Sequence, residues 1–148
     1  MQKEDTLAEQ IIVYWVIMNI LDEKDSDLLR LVQNLSNKSL QSARVKEALM
    51  LRGWWVQGNW SGILGFFKRR HSDDVLNTIF EMFEEKIRKN LLRNVIKGFG
   101  PKIRLSVLDP FMKFDDGDEL DSFLRKSDAV LSEDGLWLLN RESKKIIA

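Results

Sequence analysis

The chain has 148 residues, with 23 basic and 23 acidic side chains, a formal net charge of zero, 44% apolar residues and 31% charged ones. That profile fits one globular domain able to bury about two-thirds of its unfolded surface, and it excludes disordered and fibrous classes. The absence of cysteine excludes a disulfide framework, a thiolate zinc site and cysteine catalysis.

The first predicted helix covers about 5–22, where Leu7, Ile11, Tyr14, Trp15, Met18 and Leu21 recur at helical period and should face the core. Its apolar run, 11–18, is too short to span a bilayer. Acidic Glu4, Asp5 and Glu9 precede the run where a secretory signal carries basic residues, so an intracellular protein is expected. Ser26 or Asp25 caps a second, short helix with Leu28, Leu29, Val32 and Leu35. Ser39 or Ser42 opens a third, carrying Val45, Ala48, Leu49, Trp55 and Val56 and stopped by Gly58-Asn59. The fourth runs from Trp60 to Arg70, where Gly62 and Gly65 favour close helix packing.

Ser72-Asp73-Asp74 caps the longest helix, which ends near Gly98, before Gly100-Pro101. Its acids, Glu81, Glu84 and Glu85, precede its bases, so its charge runs with the helix dipole. Ile87, Leu91, Val95 and Phe99 form its expected core face. Residues 104–112 form a short apolar segment, and Asp115 to Glu119 open a further helix with Leu120, Phe123 and Leu124 on one face. Ala129-Val130-Leu131 and Leu136 to Leu139, joined by Ser132-Glu133-Asp134-Gly135, read as a β-hairpin. Two short helices followed by a hairpin make a winged-helix layout. The fold class expected is therefore mainly α, a helical-hairpin bundle over 1–100 followed by a C-terminal winged helix over 101–148.

Catalytic chemistry has little to stand on. His71 is the one histidine and sits beside Asp73 and Asp74, where a helix cap next to an exposed imidazole explains the pattern better than a general base or a metal ligand. The acidic run 115–119 lacks the alternating ligand spacing of a calcium loop and suits helix capping. No phosphate loop, nucleophile elbow or zinc-protease motif occurs, so no catalytic residue, metal or cofactor is assigned.

The basic stretch is more informative. Residues 86–104 contain Lys86, Arg88, Lys89, Arg93, Lys97, Lys102 and Arg104 and no acid. Lys86, Lys89, Arg93 and Lys97 share one helical face and, with Lys102 and Arg104, suit a track for nucleic-acid phosphates. A solvated face that complements the helix C-terminus, or one that pairs with an acidic subunit, explains the same stripe equally well. Major-groove reading by the last helix is disfavoured, because Asp116, Asp118, Glu119 and Asp121 crowd its front. Of the five tryptophans, Trp15 and Trp55 belong to apolar stripes, and Trp54 and Trp60 flank the Gly58-Asn59 corner. Trp137 faces opposite to Leu136 and Leu138 on an alternating strand, which makes these three residues a candidate partner surface.

Helical hairpins, a long helix and a terminal winged helix form the layout of PCI-type domains, and within that set the sequence resembles the GANP/Sac family, including its leukocyte-receptor-cluster relatives. The likeness is carried by Ala48-Leu49 through Gly58-Asn59-Trp60 to Phe66-Phe67, by Arg88 with Leu91-Leu92, and by Leu105-Ser106-Val107-Leu108. Phe114-Asp115-Asp116, Leu120 with Phe123-Leu124, and Gly135 through Asn140-Arg141 complete it. Asn90-Leu91 stands where the family has Ala-Leu, Pro110 falls within the first winged-helix helix, and the chain starts inside the family's usual helical solenoid. The resemblance implies a nuclear, non-enzymatic scaffold of a TREX-type mRNA-export complex. It would pair with a second PCI-domain protein and a small acidic Dss/Sem-type peptide, with a basic platform for RNA and no membrane or small-molecule partner. Alternatives are a COP signalosome, proteasome-lid or translation initiation factor subunit without nucleic-acid binding, and a DNA-binding winged-helix regulator.

The zero net charge is a sum of unlike parts. Residues 1–50 hold six bases and eight acids, residues 51–104 eleven and five, and residues 105–148 six and ten.

Overall fold

The computed structural model describes residues 3–70, 72–140 and 143, with only the backbone for 3–6. His71 and Arg141 lie outside the described residues. Six helices come first: α1 (Lys3–Leu21), α2 (Asp25–Asn34), α3 (Asn37–Gln41), α4 (Ala43–Gln57), α5 (Trp60–Lys68) and α6 (Asp74–Gly98). They are followed by β1 (Lys102–Arg104), α7 (Leu105–Met112), α8 (Gly117–Lys126) and β2 (Trp137–Leu139). The chain is thus mainly helical with one small sheet. No helix among the described residues is long and apolar enough to cross a membrane.

In α1 the predicted stripe is only partly buried, with Leu21 in the core and Tyr14 and Met18 packed against it. Val13, Val16, Ile17, Ile20 and Leu21 are buried, whereas Leu7, Ile11 and Trp15 are 59%, 52% and 58% exposed. The helix is apolar on nearly every side, so two stripes compete, and packing against α4, α2 and α6 decides between them. The expected third helix is α4, opened by Ser42 and ended by Gly58, and the short α3 precedes it. Ser36 caps α3 by accepting from Ser39 N–H at 3.1 Å, and Ser42 caps α4 by accepting from Val45 N–H. In α4 the core side is Val45, Ala48 and Leu51, and Val56 points to solvent.

Gly58 ends α4 in the left-handed region (φ 73°), and a Cβ there would stand 3.0 Å from the Asn94 amide of α6. Asn59 then caps α5 by accepting from Gly62 N–H at 3.0 Å. Gly62 is therefore needed by its own helix cap, since a Cβ would lie 2.6 Å from Asn59 Nδ2, and not for helix–helix contact as its spacing suggested. Trp60 is buried edge-on against Trp55 at 4.8 Å, so both rings close the α4–α5 corner. Asp73 caps α6 by accepting from Val75 and Leu76 N–H, and Asp116 caps α8 by accepting from Asp118 N–H.

β1 and β2 pair antiparallel with Lys102 opposite Leu139, Ile103 opposite Leu138 and Arg104 opposite Trp137. The expected hairpin is correspondingly reduced. Its first arm contributes one bridge, Leu131 to Leu138, with Leu139 N–H donating to Val130 O at 2.8 Å and Ser132 N–H to Trp137 O at 2.9 Å. β2 thus lies between β1 on one side and residues 130–132 on the other. Pro110 sits inside α7 without ending it. One continuous core joins the helical part to the C-terminal part, from Val13 through Ile87 and Leu92 to Leu108, Leu124 and Leu138.

Candidate nucleic-acid interface

The basic stretch divides into residues that hold the fold and residues that face outward. Arg88 is the clearest of the first kind, only 3% exposed. Its Nε donates to Met112 O at 3.0 Å and an Nη to Lys113 O at 3.1 Å, so it satisfies the last carbonyls of α7. It also pairs with Glu84 and lies 3.8 Å from the Phe114 ring centroid. Burial pulls its pKa down to about 10, against the pull of Glu119 and Asp115, so it stays charged at neutral pH. The sequence counted it among the seven bases of the stretch but not on their shared helical face. The signal it carried was Glu84 four residues earlier on the same apolar face as Leu91 and Val95.

Lys86 also turns inward. Its Nζ donates to Leu21 O at 3.1 Å at the C-terminal end of α1, pairs with Glu23 at 3.4 Å and lies over Trp55. Lys89 pairs with Glu85 one turn back at 3.1 Å, and this bond holds the Glu85 carboxyl below its usual range. Arg93, which donates to Asn90 Oδ1 at 3.2 Å, and Lys97 are exposed at the C-terminal end of α6.

From there the chain passes directly into β1. Lys102 and Arg104 are its exposed residues and Ile103 its buried one. Across the sheet both cations face Trp137, with Lys102 Nζ 4.4 Å and Arg104 Cζ 5.8 Å from the ring centroid. Arg104 also lies close enough to Asp134 to help lower that carboxyl's pKa, after the larger effects of Ser132 and the Leu136 N–H.

Of the three residues expected to meet a partner, Leu138 is fully buried and cannot do so. Alternation on a three-residue strand puts it in the core opposite Ile103. Leu136 is 49% exposed and Trp137 half-buried beneath Lys102. Phe99, expected in the core, is 50% exposed because α6 ends at Gly98 and the helical period no longer governs its direction. The connection around it is fixed by Asn140, whose Nδ2 donates to Gly100 O at 2.8 Å and Phe99 O at 3.4 Å.

A second group of arginines behaves differently. Arg44, Arg69 and Arg70 line a groove of about 510 Å³ at the start of α6, but Glu47, Asp73 and Asp74 line it too. Arg70 pairs there with Glu47 over the Phe66 ring, and Tyr14 Oη donates to Asp73 at 2.9 Å. Balanced charge makes this groove a poor phosphate site. Within the basic stretch, the outward-facing cations lie at the other end of α6 and on β1.

A model of the SAC3/GANP family matches residues 4–133. No curated protein matches the chain.

Proposed function

The chain belongs to the SAC3/GANP family, and from that membership we propose a non-enzymatic scaffold of a nuclear mRNA-export assembly. It would consist of a PCI-type helical part over 1–100 and a winged helix over 101–148. The element order β1, α7, α8, bridge, β2 supports the winged-helix reading, with the loop at Ser132–Gly135 as the wing. The partners in this reading are a second PCI-domain protein, a small acidic Dss/Sem-type peptide and RNA.

One observation carries the RNA part: Lys97, Lys102 and Arg104 are exposed where α6 runs into β1, beside the partly buried Trp137. Arg93 extends this surface along α6. Lys86 and Lys89 take structural roles instead. The apolar residues exposed on α7, Val107 and Phe111, together with Leu136, supply the protein-binding surface. DNA groove reading is disfavoured, because the first turn of α8 presents Asp118 and Glu119.

Affinity purification of the tagged chain from its own cells tests the scaffold reading. Recovery of a PCI-domain protein together with a small acidic subunit and export factors is expected. Recovery of proteasome-lid, COP signalosome or initiation-factor subunits alone would remove the export assignment.

A further inference from the structure

We propose that Phe99 and Trp137 are stacking platforms for unpaired bases, so that the basic end of the molecule takes single-stranded RNA in preference to duplex. The inference rests on the RNA reading above and adds the form of RNA and the side chains that select it. It comes from two aromatic rings beside the exposed cations, Phe99, which is 50% exposed, and Trp137, which is partly buried beneath Lys102.

Phe99 leaves half its surface in water, yet its backbone is held firmly. Its N–H donates to Val95 O at 3.0 Å, its carbonyl and that of Gly100 accept from Asn140, and Asn140 N–H donates to Pro101 O at 2.9 Å. Asn140 is itself 3% exposed, so the anchor belongs to the core. A phenyl ring is thus presented outward on fixed backbone, between Lys97 two residues before it and Lys102 three after. Trp137 is the second ring. Lys102 covers it at 4.4 Å, with Arg104 farther out at 5.8 Å.

Each base carries a π-face, and base–aromatic stacking beside a cationic track is the usual means of holding single strands without reading sequence. An ammonium over an indole ring is an exchangeable cover in a solvated site. A base sliding onto Trp137 gains a broad dispersion contact, and the displaced Lys102 turns to the adjoining phosphate. Phe99 takes a second base, with Lys97 on its phosphate. A duplex keeps its bases stacked on one another and offers this surface phosphates alone, so neither ring contributes.

Fluorescence anisotropy on the full chain tests this with three probes: a labelled oligouridylate, an abasic ribose-phosphate chain of equal length, and an RNA duplex. The oligouridylate is expected to bind most tightly. Phe99→Ala, and separately Trp137→Leu, should weaken it by about tenfold relative to the abasic chain. Phe99→Tyr should retain it. Because Phe99 is exposed, its variants should keep the wild-type melting temperature, and the test holds even if Trp137→Leu folds poorly. Equal binding of oligouridylate and abasic chain, unchanged by Phe99→Ala, would overturn the stacking inference and leave the RNA reading standing. Absence of salt-dependent binding to all three probes would overturn both.

Discussion

Single side chains decide how the basic stretch is divided. Arg88 and Arg93 are five residues apart on one helix, yet one ties α6 to the end of α7 and the other faces solvent. Arg88→Met should destabilise the fold by about 3 kcal/mol, because two α7 carbonyls and the Glu84 carboxylate lose their partner together. Urea denaturation measures this, and a loss below about 1 kcal/mol would mean that water replaces the guanidinium. Arg88→Lys should recover only part of the loss, since an ammonium cannot span both carbonyls and the carboxylate in one plane. Tyr14 gives a second residue-scale test, because it is the only tyrosine in the chain. Burial and its hydrogen bond to Asp73 raise its pKa above the ordinary 10.0. The fold favours the neutral phenol, so this contribution is present below pH 10 and is lost as pH rises through the higher folded value. The phenolate absorbance should therefore appear later than in an unfolded control. Asp73→Asn, which can still cap α6, should bring it back toward the ordinary value without abolishing the shift. Coincident titrations of folded and unfolded protein would contradict the burial of this hydroxyl.

At the scale of elements, the helices were legible wherever a cap residue stood before a strongly periodic run. Asp73, Ser42 and Asp116 mark their helix starts in the sequence and do so in the structure, whereas Asn59, read as the stop of the preceding helix, also caps α5. Two features escaped for physical reasons. α1 is apolar on nearly every side, so periodicity could not choose the buried face, and tertiary packing buries Val13, Val16, Ile17 and Ile20 while Leu7, Ile11 and Trp15 stay exposed. β1 is only Lys-Ile-Arg, too short for an alternating pattern, and is a strand because β2 pairs with it. The candidate site suffered from the same gap: the cations were legible as a run, but their meeting with Trp137 depends on that unforeseen pairing. Gly58 tests how firmly the α4–α5 corner is specified. Gly58→Ala should cost about 1–2 kcal/mol from left-handed strain and the close Asn94 amide. Thermal melting of Gly58→Ala with Asn94→Ala should restore the part due to crowding and leave the strain. Full restoration would show that the backbone strain was small.

For the whole molecule, charge is sorted along the chain and again by the fold. The excess of six bases in residues 51–104 is reduced in the fold by pairs with acids outside that segment, Glu23, Asp25, Glu47 and Asp115. Lys97, Lys102 and Arg104, with Arg93 beside them, are exposed where the helical part joins the small sheet. A molecule with no net charge can in this way present one cationic surface without attracting polyanions everywhere. RNA phosphates on this surface would release counterions, and the salt dependence of binding measures that contact directly. The logarithm of the association constant for oligouridylate should fall linearly with the logarithm of salt concentration. Replacing Lys97, Lys102 and Arg104 with Gln should flatten that slope by about 0.7 for each residue, while Lys86→Gln should leave it unchanged. A wild-type slope near zero, or a slope that survives the triple replacement, would contradict that contact.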